Sequence, residues 1–487
     1  MLLAMLILVP LAMAGIALVV PSDAWRPWLL PLAAAIHLGL VGLAIFAPEL
    51  AGNTLSLRPW FELDALGKLF LAYLSVLFLI CMLYAPGYLA LRGERSNRVF
   101  CANLLVALSA MTLMILSQHL GLMWVAMEAT TLATGPLLYF NHNPKSLEAT
   151  WKYLLIGSVG IALALLGTFF LAYSAVRVGL ESSLFFPELV LVAGKLSPSW
   201  LRAAFVLLFV GYGTKMGLAP MHTWKPDAYG EAPGLVGALL AGGVTSCAFL
   251  AILRVYQICS LSSAAGSARG MMWVIGLLSM AVAAVFMVRQ RDFKRMLAYS
   301  SVEHMGILVL GVAIGGIGVY GALLHLINNG LTKSVLFLSA GNIHRAYGSK
   351  SIDKVHGAIG LLPLSGTLFL AGWLAITGSP PFGPFLSEFT IVNAAFSTGQ
   401  YPTAGLFLVL LAAIFIGMGT TVLAVVQGPS PELASPDVSG DAKFRDGMRT
   451  GLPIILAMAL VLLLGLYIPP QLDTMIRDAA AMLEVAK

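Results

Sequence analysis

Leu207-Leu-Phe-Val-Gly-Tyr-Gly-Thr-Lys215-Met-Gly-Leu-Ala-Pro220-Met-His-Thr-Trp224 decides how the chain folds, because it sets an ammonium inside a hydrophobic run that a proline then breaks. At the centre of a bilayer helix a lysine costs about 2.5–3.5 kcal/mol on insertion scales, so its presence marks a functional site. Pro220 removes a backbone donor and opens the helix, which lipid tolerates only where the freed groups face protein or a water-filled cavity. A second break lies in Thr377-Gly-Ser-Pro-Pro-Phe-Gly-Pro-Phe385, where Pro380, Pro381 and Pro384 interrupt another apolar run.

The rest of the chain is as apolar as these segments require. Of 487 residues, 59% are hydrophobic and 10% charged, which excludes a soluble globule and gives an all-α polytopic membrane protein. Apolar runs of about 18 residues or more predict fourteen spans, roughly 1–20, 27–47, 64–85, 98–117, 119–140, 148–175, 200–222, 232–257, 270–289, 296–314, 318–343, 357–378 with a broken continuation to 399, 402–427 and 450–468. Ala12-Met-Ala14 resembles a signal-peptidase site, but no Lys or Arg precedes the apolar run, so a retained first span is expected. The broken runs are the seventh and twelfth. An odd spacing of five spans sets equivalent helices in opposite directions, as in an inverted repeat with discontinuous helices, and chance placement of the prolines is the alternative.

The net charge of +6 comes from basic residues scattered through short loops, without a basic stripe or aromatic interleaving, which excludes nucleic acid as a partner. Connections after odd-numbered spans carry Arg26, Arg92, Arg95, Arg98, Lys145, Lys152, Arg289, Arg291, Lys294, Arg295, Arg345, Lys350, Lys354, Lys443, Arg445 and Arg449, sixteen in all. Those after even-numbered spans carry seven: Arg58, Lys68, Arg177, Lys195, Arg202, Arg254 and Arg269. The bias predicts cytoplasmic odd loops and both termini outside. The longest connection, about 428–449, is rich in Pro, Ser and Asp and predicts a solvated connector.

Cys81, Cys101, Cys247 and Cys259 show no C-x-x-C spacing, so neither a disulfide framework nor an iron–sulfur ligand set is expected, and no cofactor. The glycine string from Gly311 to Gly321 lacks a preceding strand and reads as helix packing or a span boundary rather than a nucleotide loop.

Ionisable residues inside spans are few. Glu128 lies in Trp124-Val-Ala-Met-Glu128-Ala-Thr-Thr131, well inside span five. A lone carboxylate in hydrocarbon favours its neutral form unless a cation approaches, and Lys215 has the opposite bias. The two can pair, and a passing charge can open the pair; a static ion pair is the alternative. Lys333 has His325 eight positions earlier and Asn329 midway, and steps of four keep all three on one helix face. Histidine titrates near neutrality, so this face is a candidate proton-transfer row, with a packing role for His325 as the alternative. Glu388, just past the second break, offers a terminal carboxylate unless it sits at the interface. His222 and Asp227 flank Trp224 and Lys225 at the exit of the broken helix, with no second ligand at metal spacing, so no metal is expected. Glu303 and His304 fall early in span ten or at its loop end.

Trp124-x-x-x-Glu128, Gly213-Thr-Lys215-x-Gly-x-Ala-Pro220-Met-His222-Thr-Trp-x-Pro-Asp227, Asp292-x-Lys294-Arg-x-Leu-Ala-Tyr-Ser-Ser301 and the His325 to Lys333 face together resemble the antiporter-like subunits shared by respiratory complex I, Mrp cation/proton antiporters and membrane-bound nickel–iron hydrogenases. The match spans roughly 60–400. The wording Trp224-Lys-Pro-Asp-Ala-Tyr-Gly-Glu-Ala-Pro233 and Ser301-Val-Glu-His304-Met-Gly306 is most similar to the hydrogenase-4 component F type.

The resemblance implies about fourteen transmembrane helices with two inverted five-helix repeats and broken helices seven and twelve. It implies an N-terminal three-helix segment at 1–97, a first repeat at 98–260, a second at 261–428, and a connector, last helix and short tail at 429–487. By residue, Glu128 matches the family's helix-five glutamate, Lys215 its partner lysine, Lys333 a lysine of the central relay, Glu388 the terminal group and His325 a relay histidine of some members. One departure stands out. Where many members carry a lysine or histidine in helix eight, this chain has Ala241-Gly-Gly-Val-Thr-Ser-Cys247, whose hydroxyls can hold water but store no proton.

The function implied is a proton-translocating subunit of a redox-driven complex, hydrogenase-4-like or NADH dehydrogenase-like, in the bacterial inner membrane. Its partners would be other membrane subunits and, through them, a peripheral redox arm. This subunit of an oxidoreductase would hold no redox centre of its own. An Mrp-type antiporter subunit, or a structural subunit without a complete path, are the alternatives.

Overall fold

Proline, glycine and capping side chains mark where the helices begin and end. The computed structural model describes residues 2–47, 56–57, 60–429 and 444–484; Arg58, Lys443 and most of the expected connector lie outside them. In order, the elements are α1 (Leu2–Val19), α2 (Leu29–Phe46), β1 (Ser56–Leu57), β2 (Phe61–Glu62), α3 (Ala65–Ala90), α4 (Arg98–Leu116), α5 (Leu120–Leu138), α6 (Pro144–Val176), α7 (Phe186–Val192), α8 (Pro198–Met216), α9 (Lys225–Glu231), α10 (Gly234–Leu239), α11 (Thr245–Ser260), α12 (Ala265–Met287), α13 (Phe293–Ile314), α14 (Ile317–Tyr347), α15 (Ala358–Leu361), α16 (Pro363–Ile376), α17 (Gly383–Ser397), α18 (Tyr401–Val426), α19 (Met448–Leu466) and α20 (Pro470–Ala481). The two strands form an antiparallel hairpin with Ser56 opposite Glu62.

Among the described residues ten helices are long and apolar enough to cross a membrane. The expected spans that fall short are α5, α8, α14 and the α16–α17 pair. These four carry Glu128, Lys215, His325 with Lys333, and Glu388. Polar residues lower the hydropathy of α5, α8 and α14, whereas the break leaves α16 and α17 only 14 and 15 residues long.

Both expected breaks are present. α8 stops at Met216, and Gly217, with φ of 79°, turns the chain before it restarts at Lys225. A left-handed residue at the end of a helix suits glycine, which has no Cβ to clash. α16 stops at Ile376 and the chain resumes helically at Gly383. Among the described residues, side-chain caps start four helices, α3, α5, α6 and α13. Asn143 and Ser146 form a capping box ahead of α6, and Asp292 accepts from the amides of Lys294 and Arg295 at 2.8 and 3.0 Å to start α13.

The helices divide by environment. α10, α11 and α13 are enclosed by others, whereas α1, α2, α6 and α18 keep much of their surface outward. That outer surface is apolar: Leu132, Leu155, Val159, Val409 and Ile416 are all at least 60% exposed. Such a belt suits lipid, not water. α6 and α8 approach closely through small residues. A Cβ on Gly211 would stand 2.6 Å from the Gly160 carbonyl oxygen, so nothing larger fits.

One sequence expectation needs correction. Arg254, counted among loop-edge cations, is fully buried in α11, where its guanidinium meets Asp64 at 2.7 and 3.2 Å. Asp64 also caps α3 by accepting from the Gly67 amide at 2.7 Å, so one carboxylate joins two helices. The tail expected after the last span includes α20, a short amphipathic helix held by Tyr320, which donates to Asp473 at 2.7 Å. The Gly311–Gly321 string is both span boundary and packing surface: α13 ends within it at Ile314, and Gly311 lies against Gly318 and Ala322.

Candidate functional site

Lys215 sits in the last turn of α8, fully buried, and donates to Thr131 Oγ1 and to the Tyr153 hydroxyl, each at 2.7 Å. Its Nζ also lies 4.5 Å from the Tyr153 ring centroid. Glu128 is half-buried on α5 and does not touch the ammonium directly. Thr131 bridges them, donating to Glu128 Oε2 at 3.1 Å while accepting from Lys215. The other Glu128 oxygen accepts from Ser158 at 2.9 Å. Trp124 fixes the register by donating from Nε1 to the Ile161 carbonyl at 2.7 Å, which holds α5 on α6 and turns Glu128 toward Ser158.

The Ala241–Cys247 stretch of the Gly234–Ser260 span carries no titratable cation. Thr245 and Ser246 spend their hydroxyl protons on the Ala241 and Gly242 carbonyls of their own helix, beside a π-helical turn at Leu240–Val244. A titratable cation comes instead from α9. Lys225 is fully buried and donates to Ser301 Oγ at 3.0 Å. On the same helix, Ser300 Oγ accepts from Lys333 at 2.7 Å. Consecutive residues of a helix point about 100° apart, so adjacent serines receive lysines from two different helices. This explains the Ser300-Ser301 pair in the motif that begins at Asp292. Lys225 and Lys333 lie within electrostatic reach of one another.

Beyond Lys333 the row continues through residues that reach from three helices. His304 on α13 and His325 on α14 are fully buried, with His304 Nδ1 2.9 Å from His325 Nε2. His325 Nδ1 lies 2.9 Å from Ser387 Oγ on α17. Glu303 Oε2 is 3.7 Å from His304 Nε2. Glu388 is buried with 3% exposure, so it occupies the interior rather than the interface, and its carboxylate packs against Gly378, which has φ of 68°. Glu303 and His304 are likewise interior residues of α13, not loop-end ones.

Hydrogen bonds form one continuous network, Ser158, Glu128, Thr131, Lys215 and Tyr153, and a second group of three separate links, Lys225 to Ser301, Lys333 to Ser300, and His304 to His325 to Ser387. The Trp224 ring stands between them, 5.1 Å from Tyr153 and 5.9 Å from Tyr229, and is pinned by a 2.8 Å bond from its Nε1 to the Thr214 carbonyl. His222 and Asp227 lie outside the row. His222 keeps 8% exposure, and Asp227 pairs with Lys152 at 2.7 Å and Arg295 at 2.8 Å. Those ion pairs, with Lys350 on Glu231 at 2.7 Å, rim a polar cavity of about 420 Å³ that opens onto α9.

Residues 117–416 match the model of the NADH:quinone oxidoreductase/Mrp antiporter transmembrane family. The chain belongs to this family. It is 33% identical over 435 residues to a hydrogenase-4 component F homolog of Methylacidiphilum infernorum, covering 87% of this chain and 89% of that one. It is 29% identical over 423 residues to NADH-quinone oxidoreductase subunit N of Desulforudis audaxviator, covering 84% and 83%. A subunit of the membrane-bound sulfane sulfur reductase, an archaeal respiratory membrane complex, superposes with a TM-score of 0.85 at 20% identity over 99% of this chain and 97% of that one, which shows the shared fold. Within the family frame, the chain is a multi-span membrane protein with buried charged residues, of which Lys215 and Glu388 adjoin the two breaks.

Proposed function

We propose that the chain moves protons across the membrane as a subunit of a redox-driven complex of the hydrogenase-4 or NADH:quinone type. The carrying observation is the series of buried titratable side chains, Lys215, Lys225, Lys333, Glu303, His304, His325 and Glu388, inside the bundle. Charge there is expensive, so a run of such residues supports a functional path. The fourteen-span count, the inverted repeats and the 1–97, 98–260, 261–428 and 429–487 division belong to this reading. The two breaks support it.

Glu128 sets the state of the entry. When its carboxylate is charged and linked through Thr131, an ammonium at Lys215 is held; when a partner subunit draws that charge away, the proton is released. It passes Trp224 to Lys225. Charge arriving on Lys225 disfavours charge on Lys333, which acts on Glu303 and the histidines and hands the proton toward Glu388. The polar cavity above α9 supports an opening on the side where the odd-numbered connections meet. That side is then the cytoplasm and both termini lie outside, in a bacterial inner membrane.

The partners are further membrane subunits and a peripheral redox arm, since this subunit of an oxidoreductase relies on electron transfer elsewhere. The test uses the native complex in liposomes. Glu128→Ala and Lys215→Ala should abolish coupled proton movement while the complex still assembles; unchanged movement in both variants overturns the mechanism. A set of small antiporter subunits, rather than a redox arm, in the purified complex would select the Mrp-type reading.

A further inference from the structure

We propose that His304, His325 and Glu388 form a buried binding site for one zinc-class divalent cation, and that filling it closes the distal end of the proton path. The closure rests on the proton reading above; the binding does not. One ligand atom from each of the three residues lies within 4.8 Å of the others. Two imidazole nitrogens and one carboxylate oxygen make a donor set suited to Zn²⁺ with a fourth position open. Magnesium and calcium prefer oxygen ligands and water, so the donors select against them.

The cluster carries the marks of a built site. The histidines have no exposure and Glu388 has 3%. His304 Nε2, Glu388 Oε1 and the neighbouring Glu303 Oε1 are buried without a hydrogen-bond partner. Buried polar atoms are nearly always satisfied, so the unpartnered Glu388 Oε1 beside the two imidazoles points to a missing ligand, while His304 Nε2 and Glu303 Oε1 are left over for an outer pairing.

The hydrogen-bond network also prepares the tautomers. The Ser387 hydroxyl donates to the Pro384 carbonyl at 2.9 Å, so it accepts from His325 Nδ1–H, and the lone pair on His325 Nε2 faces His304. In the metal-free state His304 Nδ1–H fills that 2.9 Å gap. A metal ion can take the place of this proton. With bonds of about 2.0–2.1 Å in tetrahedral geometry, the two nitrogens need to part to about 3.4 Å. His304 then carries its proton on Nε2, which faces Glu303 Oε2 at 3.7 Å. Ser387 remains the outer hydrogen-bond partner of His325, and the Glu303 carboxylate lies beside His304 at ion-pair distance, close to the arrangement that orients metal-bound histidines.

The carboxylates of Glu303 and Glu388 together offset a charge of +2, which a buried cation requires. Lys333, held on Ser300 at 2.7 Å, is the neighbouring cation that opposes binding. Glu388, with the only measurable exposure of the three ligands, marks the side of entry. A filled site removes His325 and Glu388 from proton exchange.

The test titrates the metal-stripped full-length chain in detergent with cobalt chloride, following the visible absorption of four-coordinate Co²⁺, then displaces it with zinc chloride. The expected result is one ion per chain, displaced by one equivalent of zinc and not by magnesium chloride. The spectrum should vanish in Glu388→Gln and His325→Gln, and Glu303→Gln should weaken binding about 10–100-fold. An absent spectrum, or one that survives both ligand substitutions, overturns the site. Should either ligand variant fail to fold, Glu303→Gln and Ser387→Ala decide, and unchanged affinity in both overturns it. In liposomes holding the native complex, zinc should halt proton movement at the concentration that fills the site. A filled site with undiminished movement overturns the closure, whereas a filled site in a complex that moves no protons at all overturns the proton reading and leaves the site standing.

Discussion

Lys225→Met removes the cation that spans the gap while keeping an apolar stem. Lys225 Cδ and Cε press on Gly217, where a Cβ would stand 2.5 and 2.3 Å away, and methionine retains most of that packing. Ser301 loses its cation but can turn its hydroxyl to its own helix backbone, so assembly should survive. Transport should not. Without a basic nitrogen between Lys215 and Lys333, the transferred proton stands as an unstored charge in the bundle. Taking that cost as the bilayer-centre value of about 2.5–3.5 kcal/mol, and tenfold in rate for every 1.36 kcal/mol, turnover of protons should fall roughly 70- to 400-fold. The assay is redox-driven acidification of liposomes holding the purified complex, read by an entrapped pH-sensitive dye, with electron transfer followed in parallel. Proton movement within twofold of wild type in Lys225→Met, in a preparation where Lys215→Met is inactive, would refute a path through α9.

Further outcomes follow from the same contacts. Thr131→Val severs the bridge between Glu128 and Lys215 without altering either charge, so coupled proton movement should drop while subunit stoichiometry by mass spectrometry stays the same. Gly378→Ala puts a Cβ 2.2 Å from Glu388 Oε2 at a backbone φ of 68°, and should cost about 1–3 kcal/mol of stability, seen as earlier thermal aggregation of the detergent-solubilised chain. Asp64→Ala strands the buried Arg254 guanidinium and uncaps α3, and should destabilise by about 3–5 kcal/mol, whereas Asp64→Ala with Arg254→Met should cost less than Asp64→Ala alone. Arg477 and Tyr320 hold the Asp473 carboxyl below its ordinary range, so its hold on α20 is present above that range and is lost as pH falls through the lowered value. Protease sensitivity near α20 should rise in acid and stay flat in Asp473→Asn.

The breaks in helices seven and twelve were legible because proline and glycine interrupt apolar runs in a way no other composition does. Lys215, Lys333 and His325 stood out as charges where charge is costly. Glu303 and His304 were visible as well, but a span edge gave them an ordinary explanation, and only packing places His304 twelfth among the 22 residues of α13, deep in the bundle. Lys225 was the larger omission. It follows the break in a stretch that reads as polar loop, and nothing local says that α9 folds back inside; its aromatic neighbours Trp224 and Tyr229 were the available signal. Hydroxyl bridges such as Thr131, Ser300 and Ser301 are too common in sequence to single out, because their role depends on which helix faces them. The three residues proposed to bind metal come from three helices, so no spacing pattern could join them.

The central claim is that protons cross this subunit through its buried lysines. The most direct measurement is the number of protons moved per electron by the purified complex in liposomes, with wild type compared with Lys215→Met and Lys333→Met. The account predicts that both variants keep electron transfer and lose the same share of protons per electron, since both sit on one path. An unchanged ratio in either variant, with the subunit present in full amount, would contradict it.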